Sequence, residues 1–394
     1  MAPETKGSPM PAAPTRTPAD ISRLTSALPF WISLCLVPLA VVSATQGSWW
    51  VLLLPLFGWG MVTVLDMAGG LDETNPDTAT DESDLFWYRL ITLIWFPIQF
   101  AVVFGCLWWV SIGGLTGTAE KIGLFFGLGV ISGAVGIVYA HELLHQKNRV
   151  ERSLGDLLLA MVLYSHFRTE HLLVHHRYVA TPRDPVSARY NEGFHRYFLR
   201  VLLTCPPSAW RAEAQMLARR GLPVWHRSNP FWRYAVLQGA MVALALAIGG
   251  WEGLALFAVQ AGSAVWQLEL TNYIEHYGLT RRHLGEGKYE HVLPRHSWNA
   301  AHKVSNWFLI NLQRHSDHHY KPDRRFPLLQ TYGPDEAPQL PYGYPAMTTL
   351  AMIPPLWRRV MNRRVRAWRR QFYPDITDWS DYNKARLPMP RGAS

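Results

Sequence analysis

Of 394 residues, 49% are hydrophobic and only 17% charged, with 18 tryptophans and a formal net charge of +9. A charged fraction well below the roughly one quarter of soluble domains argues against an ordinary soluble globule, and a mean hydropathy of -0.03 against a chain that is membrane throughout. Cys35, Cys106 and Cys205 stand at no C-x-x-C spacing, which argues against a disulfide framework and against a cysteine-held zinc or iron–sulfur site.

Residues 1–26 are rich in Pro, Thr, Ala and Ser, show no hydrophobic period and read as a disordered tail. They lack the short basic stretch running into an apolar core that marks a signal peptide. Six apolar stretches follow, at roughly 28–46, 48–66, 89–112, 121–143, 231–250 and 252–274. Each is long enough to cross about 30 Å of hydrocarbon. Very short turns join the first two and the last two, so each pair reads as a helical hairpin. The turns near Thr45–Ser48 and Gly249–Glu252 carry no Lys or Arg, whereas 144–230 and the C-terminal third are basic. Basic loops stay on the cytoplasmic side, which places both termini there. The acidic stretch 67–88 falls on that side and reads as a solvated loop. Gly129 and Gly133 form a G-x-x-x-G pair suited to close helix packing. No glycine-rich phosphate loop is recognisable.

The expectation is an all-α, polytopic membrane protein with six transmembrane helices and a cytoplasmic helical cap. Residues 27–360 form that unit, and 361–394 a basic cytoplasmic segment. Trp357 to Arg370, rich in Trp and Arg, reads as a helix lying on anionic lipid or docking an electron donor, with lipid preferred.

The sixteen histidines carry the chemistry. His141 and His145 end the fourth stretch, four apart and so on one helix face. His171 and His175 are spaced likewise, with His176 one step round. His276 ends the sixth stretch, and His315, His318 and His319 form the last cluster. Nine imidazoles suit two metals better than one, and imidazole accepts Fe, Cu, Ni or Zn. Glu142–His145 and Glu192–His195 have the E-x-x-H spacing of soluble di-iron bundles, but histidine dominates every cluster, which disfavours that class. Glu142, Glu170, Asp184, Glu275 and Asp317 are candidates to accept the outer N–H of a ligating imidazole. His195, His226 and His283 read as ordinary surface or core residues; His166, His291, His296 and His302 crowd the clusters and stay open.

The strings Gln313-Arg314-His315-Ser316-Asp317-His318-His319, Asn272-Tyr273-Ile274-Glu275-His276-Tyr277-Gly278-Leu279 and Ala180-Thr181-Pro182-Arg183-Asp184-Pro185 resemble those of alkane 1-monooxygenases, within the membrane fatty-acid desaturase and hydroxylase superfamily. Ser297-Trp298-Asn299 and Val304-Ser305-Asn306 add to the resemblance, which covers about residues 28–360. It implies that His141, His145, His171, His175, His176, His276, His315, His318 and His319 hold two non-haem irons. The implied reaction is terminal hydroxylation of medium-chain n-alkanes with O2 in a bacterial inner membrane. The implied electron source is a separate rubredoxin, fed by its reductase and NADH, since no paired C-x-x-C is present.

A lipid-soluble alkane offers only shape and apolar surface, so a pocket among the helices is expected. Trp59 and Phe96 are candidates to close its far end. Two departures from the family pattern, Leu144 and Val174, place bulk beside the metals and bear on substrate range. The nearest alternative is a xylene- or cymene-type methyl hydroxylase or an acyl-chain desaturase; the more distant one is a membrane metal transporter or sensor. Six spans disfavour nucleic acid as a partner.

Overall fold

The computed structural model describes residues 18–384. The expected tail therefore lies outside the described residues up to 17, while residues 18–26 belong to a helix, Pro18–Ala27. The described chain is helical, with β pairing only in isolated bridges such as Leu71 with His302.

Five helical elements are long and apolar enough to cross a membrane: Ile21–Gln46, Ser48–Gly69, Glu82–Ser111, Thr118–His145 and Phe231–His276. The last has 46 residues and breaks at Gly250, whose φ of 58° and ψ of -150° are not helical. The chain folds back there: a Cβ on Gly253 would lie 2.8 Å from the Ala245 carbonyl oxygen. In a straight helix residues eight apart are separated by about 12 Å. Gly250 thus makes the turn expected near 249–252 between the last two apolar stretches.

Thr118–His145 is the inner helix, with 83% of its apolar window buried against 22–44% in the other four. Close approach to the second half of Phe231–His276 explains this. Cβ atoms on Gly129 and Gly133 would fall 2.4 Å from the Gln260 oxygen and 2.5 Å from the Ala264 oxygen, so only glycine fits this seam. Trp49, Trp50, Trp108 and Trp251 are exposed near the helix ends remote from the histidines, as an interfacial tryptophan belt requires.

At the other end, residues 146–230 and 277–384 fold into a cap. The acidic stretch does not float free: Arg314 donates to the Thr74 carbonyl at 3.0 Å, and Arg325 reaches Glu82 at 3.2 Å. The helix Pro354–Phe372 runs across the expected boundary at 360. Its apolar stripe, Trp357, Met361, Val365 and Trp368, is buried inside the cap. Trp357 packs on Tyr273 and Tyr277, and the Trp368 indole donates to the Arg295 carbonyl. The lipid-facing expectation for this stripe is therefore corrected. An amphipathic sequence says that a face is covered, not by what.

Candidate metal centre

The helix hydrogen-bonding pattern decides how the histidines gather. His141 and His145 end a regular α-helical stretch, Val138–His145, and share a face. Glu170–His175 is instead a π-turn. Its i to i+5 bonding widens the turn, so residues five apart come into line. His171 consequently lies over His176, with Nε2 atoms 2.9 Å apart, while His175 is turned away. The expected pairing of His171 with His175 is corrected on this ground. In the helix His315–Tyr320, the His315 and His319 rings lie 4.6 Å apart, while His318 reaches His176, their Nε2 atoms 3.1 Å apart.

All nine predicted histidines come together, in two groups. His141, His145, His171, His176 and His318 form one; His175, His276, His315 and His319 form the other. Within each, one ring nitrogen per residue lies within 4.8 Å of all the rest. The groups adjoin, the His176 and His319 rings being 4.7 Å apart.

The donor chemistry fits metal ions. In the first group the Nε2 atoms run His145, His171, His176, His318 at 3.0, 2.9 and 3.1 Å. In the second, His276, His315 and His319 follow at 3.1 and 3.0 Å. A neutral ring nitrogen either donates or accepts once, so such chains cannot all be hydrogen bonds. Two ligands at right angles, each about 2.1 Å from one cation, would be about 3.0 Å apart. Nε2 of His141 and of His175 is buried without a partner among the described residues. Burial first, and neighbouring imidazoles second, hold His171, His176, His318 and His319 well below the ordinary histidine range, which keeps their lone pairs free.

The five acids behave differently. Asp184 accepts from His175 Nδ1 at 2.9 Å and from Ser187 at 2.7 Å, leaving His175 Nε2 for the group. Burial would raise the Asp184 carboxyl, but His175 and Ser187 outweigh it and hold it low. Glu275 lies on the inner side, its Oε2 3.4 Å from His315 Nε2. Glu170 is buried and pushed well above the carboxylate range by that burial, then by Asp184 and Glu269. Glu142 accepts from Gln146 at 2.9 Å, and Asp317 is tied to Arg324, Tyr332 and the Gln330 amide; neither is hydrogen-bonded to an imidazole. Glu192 pairs with Arg200, and His296 with Glu290 and Tyr373.

Sequence reasoning missed Glu269. It is buried and accepts from Tyr164 at 3.1 Å, and from Tyr197 and Asn272 at 3.2 Å each. The signal was there, an acid within an apolar span.

A narrow cavity touches both groups, lined by His141, His171, His315, Glu275, Val138 and Thr271. A second, farther along the helices, shares Val138 and Thr271 and has Trp59 in its lining. Trp59 is fixed by a 3.0 Å bond from its indole to Gln267. Phe96 lines neither cavity; it packs on Phe100, half-buried. Leu144 is directed at Gly155 of the neighbouring helix, and Val174 lines an outer cleft with Arg177 and Arg211. The bulk expected beside the metals thus points away from the cavity that joins the groups.

A bundle of apolar helices ending in two buried imidazole groups describes a class of membrane metalloenzyme, and comparison with known proteins agrees. Residues 121–351 match the family described as Fatty acid desaturase. Alkane 1-monooxygenase 2 of Pseudomonas aeruginosa is 37% identical over 86% of this chain and 92% of its own length. Alkane 1-monooxygenase 1 of Alcanivorax borkumensis is 38% identical over 86% and 83%. The xylene/toluene monooxygenase hydroxylase component XylM of Pseudomonas putida is 27% identical over 64% and 67%. The chain belongs to the fatty acid desaturase family and, within it, to the alkane 1-monooxygenases.

Proposed function

We propose that the protein hydroxylates the terminal carbon of medium-chain n-alkanes, at two irons held by the nine histidines. The observation that carries this reading is the cavity reaching both histidine groups, in a chain that shares 36–39% identity with seven curated alkane 1-monooxygenases. Alkane, O2, two electrons and two protons give a 1-alkanol and water. Irons bound there supply the oxidising power that an unactivated C–H bond demands. The chain's own residues supply the rest. Neutral imidazoles present their lone pairs, and Asp184 fixes the His175 ring through Nδ1. The apolar walls bind the chain by burial and exclude water, and Trp59 closes the far end.

The centre faces the cytoplasm in this reading, both termini lie there, and the chain crosses the inner membrane six times. The electrons come from a separate rubredoxin, reduced through its reductase by NADH. The methyl-aromatic alternative drew on Leu144 and Val174, which face away from the cavity.

Purified protein supplied with Fe(II), rubredoxin, reductase, NADH and octane under air is expected to yield 1-octanol, read by gas chromatography. Benzylic alcohol from xylene with no octanol from octane would transfer the assignment to the aromatic class. Trp59→Ala is expected to move the product profile toward longer alkanes and Phe96→Ala to leave it unchanged; the reverse would misplace the cavity end.

A further inference from the structure

The two cavities among the helices meet at Val138 and Thr271, which line both. Most polar side chains on their walls are already engaged. The Thr271 hydroxyl donates to the Gln267 carbonyl at 3.2 Å, and that of Thr348 to the Pro345 carbonyl at 3.0 Å. Gln267 accepts from Trp59, and Asn272 donates to Glu269. Two oxygens differ. Tyr344 lines the second cavity and Glu275 the first. The Tyr344 hydroxyl and Glu275 Oε1 are both buried without a hydrogen-bond partner among the described residues.

The phenol approaches the Glu275 carboxyl without completing a bond to it. Its position is fixed from the backbone. The Tyr344 amide donates at 2.8 Å to Gln313 Oε1, two residues before His315, and Pro345 stands in the first turn of the helix Tyr344–Ala351. A buried hydroxyl without a partner is costly and calls for a ligand that supplies one. An alkane has no polar atom to offer. A primary alcohol has: its oxygen accepts one hydrogen bond and donates another.

We propose that Tyr344 and Glu275 form a hydroxyl-binding site for the primary alcohol product. The phenol donates to the alcohol oxygen, and the alcohol O–H donates to Glu275 Oε1. The hydrocarbon chain runs along the second cavity, against Val130, Ala134, Val138 and Phe308. The hydroxyl end falls on the metal side, because Glu275 shares its cavity with His141, His171 and His315. The inference rests on the alkane-hydroxylating reading and deepens it. The site tells alcohol from alkane by one hydrogen-bonded group, not by chain length. A site built to bond a hydroxyl discriminates against an analogue lacking it far more strongly than an apolar wall discriminates by one methylene.

The test compares 1-octanol with nonane, which has a methyl group where the alcohol has its hydroxyl. Binding of each, tritium-labelled, is measured on the full-length, iron-loaded protein in lipid nanodiscs, and the ratio of the two Kd values is taken. Partition into lipid cancels when that ratio is compared between wild type and Tyr344→Phe. The variant keeps the ring and is expected to fold with its iron. Its Kd for 1-octanol should weaken about tenfold while its Kd for nonane stays within about twofold. A second arm needs no variant: in wild type, 1-octanol should shift a tyrosine C–O stretching band in the infrared difference spectrum, and nonane should not. An unchanged ratio in an iron-bearing Tyr344→Phe, or no tyrosine band on adding 1-octanol, overturns the hydroxyl site while octane hydroxylation by wild type stands. A wild-type protein that makes no alcohol from any alkane overturns the reading of the function, and the site with it.

Discussion

The two histidine groups differ in what surrounds them. His141, His145, His171, His176 and His318 come from helix ends and meet one another. His175, His276, His315 and His319 are drawn toward two carboxylates, Asp184 behind His175 and Glu275 facing His315. The four-histidine side is also buttressed from the cap: the Trp298 amide donates to the Glu275 carbonyl and its indole to that of Tyr277. A cation in the second group would therefore sit nearer the Asp184 carboxylate than one in the first, which favours its higher oxidation state. The surroundings of the two groups are thus unequal, with Asp184 on the four-histidine side.

Each side of this comparison can be broken separately. The largest effect is expected for His315→Ala, which removes the imidazole lying between His276, His319 and Glu275. Octane turnover should fall about a thousandfold or more, while metal analysis shows about half the wild-type iron, the five-histidine group staying loaded. Asp184→Asn keeps an acceptor for His175 but removes the charge. Metal competition should show about 10–100-fold weaker binding in the four-histidine group and no change in the other. Equal weakening of both would mean that the groups act as one site.

The smallest effect concerns the buttress. Against burial, which would raise it, hydrogen bonds from His296, the Arg282 amide and Tyr373 hold the Glu290 carboxyl at about 2. A carboxyl depressed on folding stabilises the fold above its unfolded value of about 4.3, and the contribution is lost as pH falls from there through about 2. Glu290→Gln should therefore cost roughly 1–2 kcal/mol at neutral pH and flatten the acid limb of thermal unfolding between those values. An unchanged acid limb would show that this carboxylate does not anchor the cap.

How much of this was legible follows from what sequence spacing can carry. The nine histidines were legible because their clusters repeat helical intervals, at the ends of apolar runs for His141, His145 and His276 and in the polar segments beyond for the rest. Their division was not: an α-helix puts His171 with His175, and only the π-turn puts it with His176. Asp184 stood out by nearness to a cluster, whereas Asp317, nearer still, serves the loop with Arg324 and Tyr332. Phe96 and Trp95 are neighbours in sequence, yet Trp95 is the buried one; a step of one residue turns a helix by about 100°. A recess in the cap brings together Arg183, Arg281 and Arg369, far apart in the chain, and no local pattern announces it.

The central claim is a pair of unequal irons, one in each histidine group. Mössbauer spectroscopy of the protein loaded with isotopically labelled iron tests it most directly. The account predicts about two irons per chain and two quadrupole doublets of equal area with different parameters. One of these should be lost in His315→Ala. A single iron per chain, or two irons giving one indistinguishable doublet that His315→Ala removes entirely, would contradict it.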